Sequence, residues 1–268
     1  MRLTIPQKIF LAFYILLVIF WVTLFFSGLK TSFYNYLYSF LFGLIPLIGG
    51  FIAILNSRAW GGFKSAVGKS VFCIGFGLFC WGFGETIWSY YNFFLDEPAP
   101  YPSLADLGFA PSIFFYGLGA IYLSRAIGAK YGLRNTYAKI FTTVAPLFIL
   151  AISYYLFVTI ARGGILVPPG ETLLKTVLDI AYPLGDFLAL TIAIIISGLS
   201  FRYLGGKYLL NVISILSGLA VMTIADAVFS YTTTLGTFYN GQFGDLLLTT
   251  GLFLLTFGVL GFYQLKED

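Results

Sequence analysis

Eight apolar stretches, each close to the ~20 residues that cross a bilayer's ~30 Å hydrocarbon core as a helix, recur near 8–28, 34–55, 67–95, 104–126, 139–161, 172–201, 207–231 and 243–264. Inside lipid a backbone finds no water, so a spanning segment must satisfy its own N–H and C=O groups, as a helix does. The pattern predicts an all-α fold: a polytopic membrane helical bundle of eight transmembrane helices. The loops are too short for a separate soluble domain, so residues 1–268 read as a single integral membrane domain, with an N-terminal helix pair at 1–66 and a core of six helices at 67–264. The first window, "IFLAFYILLVIFWVTLFF", is longer than a secretory h-region and has no clean small-x-small site behind it; it reads as a retained helix.

Charge is scarce and its placement is informative. Only 10% of residues are charged, against roughly 25% in a soluble domain, and the mean hydropathy is +0.91. The basic residues stand singly between apolar runs and form no stripe, which argues against nucleic acid as a partner. They read instead as topology: of the 15 Lys and Arg residues, all but Lys30, Arg162 and Lys175 fall on one side of the bundle. That side is expected to be cytoplasmic, with both termini on it and the chain a multi-pass protein of the plasma membrane. The absence of histidine removes imidazole zinc sites, haem ligation and histidine general-base catalysis. Cys73 and Cys80 lie two turns apart on one helix, roughly 10 Å, too far to bridge. No lysine sits inside the last two windows, which argues against a retinal Schiff base.

Apart from Glu267 and Asp268 at the C-terminus, the acids are one-sided too. Glu85, Asp96, Glu97, Asp106, Glu171, Asp179, Asp186, Asp226 and Asp245 all fall in loops or half-helices opposite the basic side. An ionisable side chain inside a bilayer costs at least ~2.5 kcal/mol and is normally turned toward protein or a water-filled cavity. Glu85 shares a helical stripe with Trp81, Trp88, Ser89 and Asn92; Asp226 shares one with Thr223 and Ser230. Asp179, Tyr182 and Asp186 follow a similar spacing across Pro183 and Gly185, which favour a kink and free backbone carbonyls at depth. The expected ligand-binding set is Glu85, Trp88, Asp106, Asp179, Tyr182, Asp186, Asp226 and Asp245.

Simpler roles compete with that reading. Ser103 is placed to N-cap the fourth helix with Asp106 closing a capping box, and Asp245 to complement the start of the eighth. Asp96 and Glu97 read as solvated loop charges, Trp81 and Trp88 equally as belt or packing residues, and the deeper acids also suit interhelical hydrogen bonding alone. Gly75, Gly82, Gly117 and Gly119 read as close helix packing rather than phosphate binding.

A weak internal repeat links "ADLGFAPSIFFYGLGAIYL", "GDFLALTIAIIISGL" and "GDLLLTTGLFLLTFGVLGF", and "GETIWSYY" echoes "ADAVFSYT". It predicts three related hairpins, helices 3–4, 5–6 and 7–8, behind the N-terminal pair. The stretch "WGFGETIWSYYNFFLDEPAPYPSLADLGFAPSIFFYGLGAIYL", with the later "AYPLGDFLAL", "IADAVFSY" and "GQFGDLLLTTGLFLL", resembles the multi-helix N-terminal membrane sensory region of bacterial diguanylate cyclase and phosphodiesterase signalling proteins. The resemblance covers roughly residues 70–264. It implies a membrane region that senses a signal and passes it to a cytoplasmic output domain. Glu85 stands where an Asp is common, and no output domain follows Asp268, so the expectation is a stand-alone relative working through a partner, or one whose output has been lost or cut off.

The functional expectation is therefore a multi-pass sensor or ligand-binding module with an outward-facing acidic-aromatic pocket for a cationic or amphiphilic small molecule, a metal ion or protons. No catalytic residue is assigned, and no cofactor beyond a carboxylate-bound cation. The expected partners are the lipid bilayer, the ligand, and a cytoplasmic signalling protein or a second copy of the chain. The alternatives are a transporter or channel that uses the same carboxylates for ion or proton coupling, and an intramembrane enzyme with a carboxylate-held metal.

Overall fold

The protein is described here by a computed structural model covering residues 3–95, 100–127, 136–167, 169–200 and 208–264. Asp96 and Glu97, and the basic residues Arg2, Lys130, Arg134, Arg202, Lys207 and Lys266, lie outside the described residues. Within them the helices are α1 (Ile5–Ser27), α2 (Phe33–Asn56), α3 (Ala66–Tyr90), α4 (Asp106–Ala126), α5 (Thr136–Tyr154), α6 (Leu173–Ser200), α7 (Leu209–Thr234) and α8 (Phe243–Leu260). Wider turns extend α3 over Tyr91–Leu95 and α5 over Tyr155–Ile160. All eight helices are long and apolar enough to cross a membrane, and no strand occurs among the described residues.

Local sequence explains the first helix at both ends. The Thr4 hydroxyl accepts the Gln7 N–H while the Gln7 side chain accepts the Thr4 N–H, a reciprocal cap that satisfies two donors a helix start leaves open. The helix stops at Gly28, whose φ of 68° is a left-handed conformation that costs glycine little.

Polar side chains then tie the start of α1 to the end of α8. Gln7 donates to the Phe257 carbonyl at 3.0 Å and to Asn211 at 3.2 Å, and the Thr4 hydroxyl donates to the Leu260 carbonyl. Asn56 and Trp60 both donate to the Phe262 carbonyl, at 2.9 and 2.6 Å. Carbonyls in the last turn of α8 and just beyond it thus gain side-chain donors from neighbouring segments.

The helices close into a ring. Around it α2 packs on α3, α3 on α4, α4 on α6, α6 on α7, α7 on α8, and α8 back on α2. α1 lies outside against α8 and α2, and α5 lies outside against α6. Helices 3–4, 5–6 and 7–8 are packed neighbours, as the hairpin pattern expects. The space is not enclosed by the last six helices alone: α2 takes a place in the ring, and α5 reaches it through its Tyr155–Ile160 extension, which packs on α7 and puts Phe157 on the lining.

Close approach sets several ring contacts. A Cβ on Gly108 of α4 would strike the α3 backbone at Cys80 and Gly84, and one on Gly82 of α3 would strike α2 at Leu47. Gly75 and Gly119 are similarly crowded, but Gly117 meets only the Ile192 side-chain end at 3.9 Å, so its spacing reflects no tight crossing. Gly108→Ala is expected to destabilise the bundle by about 1–3 kcal/mol through overpacking. Gly117→Ala should leave the melting midpoint in detergent unchanged or slightly raised. Equal midpoints for the two variants would contradict the packing described.

Candidate functional site

The ring encloses a cavity of about 720 Å³ at the end where the α1–α2, α3–α4, α5–α6 and α7–α8 connections lie, opposite the start of α1 and the end of α8. Lys30, Tyr101 and Lys175 stand toward its rim, and Tyr116, Leu219 and Met222 lie deeper. Glu85, Trp88, Asp106, Asp179, Tyr182, Asp186, Asp226 and Asp245 all line it. Cys73 and Cys80 are free thiols.

The wall formed by α2, α3 and the α7–α8 connection carries Glu85. Gly43 on α2 leaves the space into which the Glu85 stem packs. The buried carboxylate accepts the Ser39 hydroxyl at 2.6 Å on Oε1, and no donor among the described residues reaches Oε2. Trp88 Nε1 donates to Asn240 Oδ1 at 3.1 Å, and Asn35 holds the Asn240 carbonyl at 2.8 Å. Asp245, in the first turn of α8, accepts the Gly241 N–H at 2.5 Å. Its helix-start role is therefore observed, while the residue also faces the cavity.

The opposite wall comes from α4, α6 and α7. Asp106 spends one oxygen on the Ser103 N–H at 2.7 Å and the other on the Tyr182 hydroxyl at 2.5 Å, so it caps α4 and ties α4 to α6. The capping box is only half closed: the Ser103 hydroxyl accepts the Ala105 N–H, and α4 begins at Asp106 itself. Deeper in, the Asp186 and Asp226 carboxyls face each other within hydrogen-bonding reach. Two carboxylates only accept, so that contact needs a proton or a donor placed between them.

Arg162, outside the expected set, organises the rim. Proline cannot donate an N–H, so Pro183 leaves the carbonyl four residues earlier without its helical partner. That carbonyl belongs to Asp179, and Arg162 Nη1 donates to it at 2.9 Å while Nη2 lies 3.6 Å from the Asp179 carboxylate. Arg162 also donates to the Leu166 carbonyl, and its Nε lies 3.4 Å from the Ser230 hydroxyl on α7. Tyr101 donates to Asp179 at 3.1 Å. Partial burial and the Asp179 charge push its hydroxyl above the usual tyrosine range, so it remains a donor.

Three buried polar atoms on the lining have no partner among the described residues: Asp186 Oδ2, Asn92 Nδ2 and Tyr116 Oη. Such groups are uncommon in folded proteins and costly when left unpaired. Much of the remaining surface is aromatic, including Trp88, Phe229 and Phe238 in mutual edge contact. No three carboxylates or thiols among the described residues are grouped as a metal centre.

Reasoning from sequence missed Arg162, Tyr101, Ser39, Asn240 and Tyr116. Arg162 carried a signal, as one of few cations on the acidic side and part of the arrangement around Pro183; Ser39 and Asn240 carried none, because α2 meets Glu85, and the α7–α8 connection meets Trp88, only in the folded ring. Comparison with protein-family models, curated proteins and solved structures returned no match.

The geometry makes the Arg162–Asp179 contact a coupled unit. A double-mutant cycle with Arg162→Gln and Asp179→Asn, read from unfolding in detergent, should give a coupling of about 1–3 kcal/mol. Strict additivity would mean the pair contributes nothing.

Proposed function

We propose that the chain is a multi-pass ligand-binding and sensory module of the plasma membrane, with a cavity facing outward and both termini in the cytoplasm. One observation carries this reading. Acids that sequence alone singled out on five helices and their flanks surround one cavity, which also holds three buried polar atoms lacking partners among the described residues. Its volume falls in the range of small-molecule sites, roughly 300–1,000 Å³. The one-sided Lys and Arg supports the orientation, and the resemblance to the membrane region of diguanylate cyclase and phosphodiesterase signalling proteins supports a sensory role.

A ligand acts on such a module only through a difference in affinity between helix arrangements. The walls offer a route: α3, α6 and α7 each carry a cavity acid and run on to the opposite end of the bundle. A cytoplasmic partner would read the change there.

The test is thermal stability of purified protein across pH and a panel of cationic, neutral and anionic small molecules, for wild type, Glu85→Gln and Asp186→Asn. At least one condition should raise the wild-type Tm and lose most of that effect in both variants, while the variants keep wild-type helicity. Wild-type responses in both variants would end the reading. Proton, cation or solute flux above empty liposomes would instead favour a transporter that uses the same carboxyls.

A further inference from the structure

We infer that the cavity takes an organic ammonium ion, a protonated amine carried on an apolar body. The inference rests on the ligand-binding reading above and names the class of ligand.

Charge comes first. Glu85, Asp186 and Asp226 face the cavity with no cationic partner among the described residues. The three cations on the lining are engaged elsewhere: Arg162 with Asp179, Lys175 with Glu171, and Lys30 over the Tyr239 ring at 5.6 Å. Buried carboxylates normally pair or bind a cation. A donor seated between Asp186 and Asp226 would satisfy Asp186 Oδ2 and separate two groups that otherwise only accept.

The walls select what carries the charge. A bare metal ion needs several close ligands, and the described residues offer no three-ligand group. The space is also far larger than an ion requires, and Trp81, Phe109, Phe157, Leu219, Met222 and Phe229 surround it. An apolar body buries that surface, and aromatic faces attract a cation rather than an anion. The buried Tyr116 hydroxyl and Asn92 Nδ2, both without a partner among the described residues, supply further polar contacts. A carboxylate ligand would meet uncompensated acids, and a neutral one would leave them unpaired.

Three probes of matched size separate these cases: 2-phenylethylamine, 2-phenylethanol and 3-phenylpropionate, tested by calorimetry and thermal shift on the purified full chain in detergent. The amine alone should bind and raise Tm, and Asp186→Asn and Asp226→Asn should each weaken it at least tenfold. Tyr116→Phe, which keeps the ring, should weaken it several-fold, and Ser124→Ala, away from the cavity near the far end of α4, should leave it unchanged. The inference is overturned if the alcohol or the acid binds as well as the amine, if the amine does not bind, or if it binds both aspartate variants like wild type. A neutral or anionic compound whose stabilisation is lost in Glu85→Gln and Asp186→Asn would overturn the amine and leave the ligand-binding reading standing. A panel without any variant-sensitive stabilisation would remove both.

Discussion

A carboxylate placed at depth in a bilayer must be given a polar surrounding, and the ring of α2, α3, α4, α6, α7 and α8 provides it. The price of leaving such groups against lipid, several kcal/mol each, exceeds what most single packing contacts return. Turning them inward around a common space removes that penalty but leaves the space unable to pack shut. Glu85 on α3, Asp186 on α6 and Asp226 on α7 therefore account for the cavity as much as they occupy it.

The rim and the interior solve the problem differently. At the rim, Asp179 is neutralised within the protein: Pro183 releases its carbonyl, and Arg162 takes carbonyl and carboxylate together. Asp106 accepts the Ser103 N–H and the Tyr182 hydroxyl, and Asp245, although as deeply buried as Glu85, accepts the Gly241 N–H at the start of its helix. Glu85, Asp186 and Asp226 have no such N–H or cationic partner among the described residues. Asp186 and Asp226 have each other, and Glu85 has one serine hydroxyl. Acids that resemble one another in sequence thus divide into those given N–H or cationic partners by the fold and those without them among the described residues.

Much of this was legible beforehand. Hydrophobic windows fixed the eight helices to within a few residues, because the bilayer imposes one length and one hydrogen-bonding solution. The acids stood out because charge is so rare in this chain. Ser39, Asn240 and Tyr116 did not, since a serine, an asparagine or a tyrosine in an apolar sequence costs little and has many ordinary uses. Chain order also suggested that the first two helices stand in front of a six-helix core, whereas Glu85 lies against α2 through Ser39 and Gly43.

Sequence by itself determined the solvent, the secondary structure and the sidedness of charge, each set by local composition acting against the bilayer. The tertiary structure alone decided which acids share a space, which are already paired, and which helices enclose them. Those are relations between residues as far apart as Ser39, Glu85 and Asn240, or Arg162, Asp179 and Ser230, and hydrophobic periodicity holds no record of which helix lies beside which.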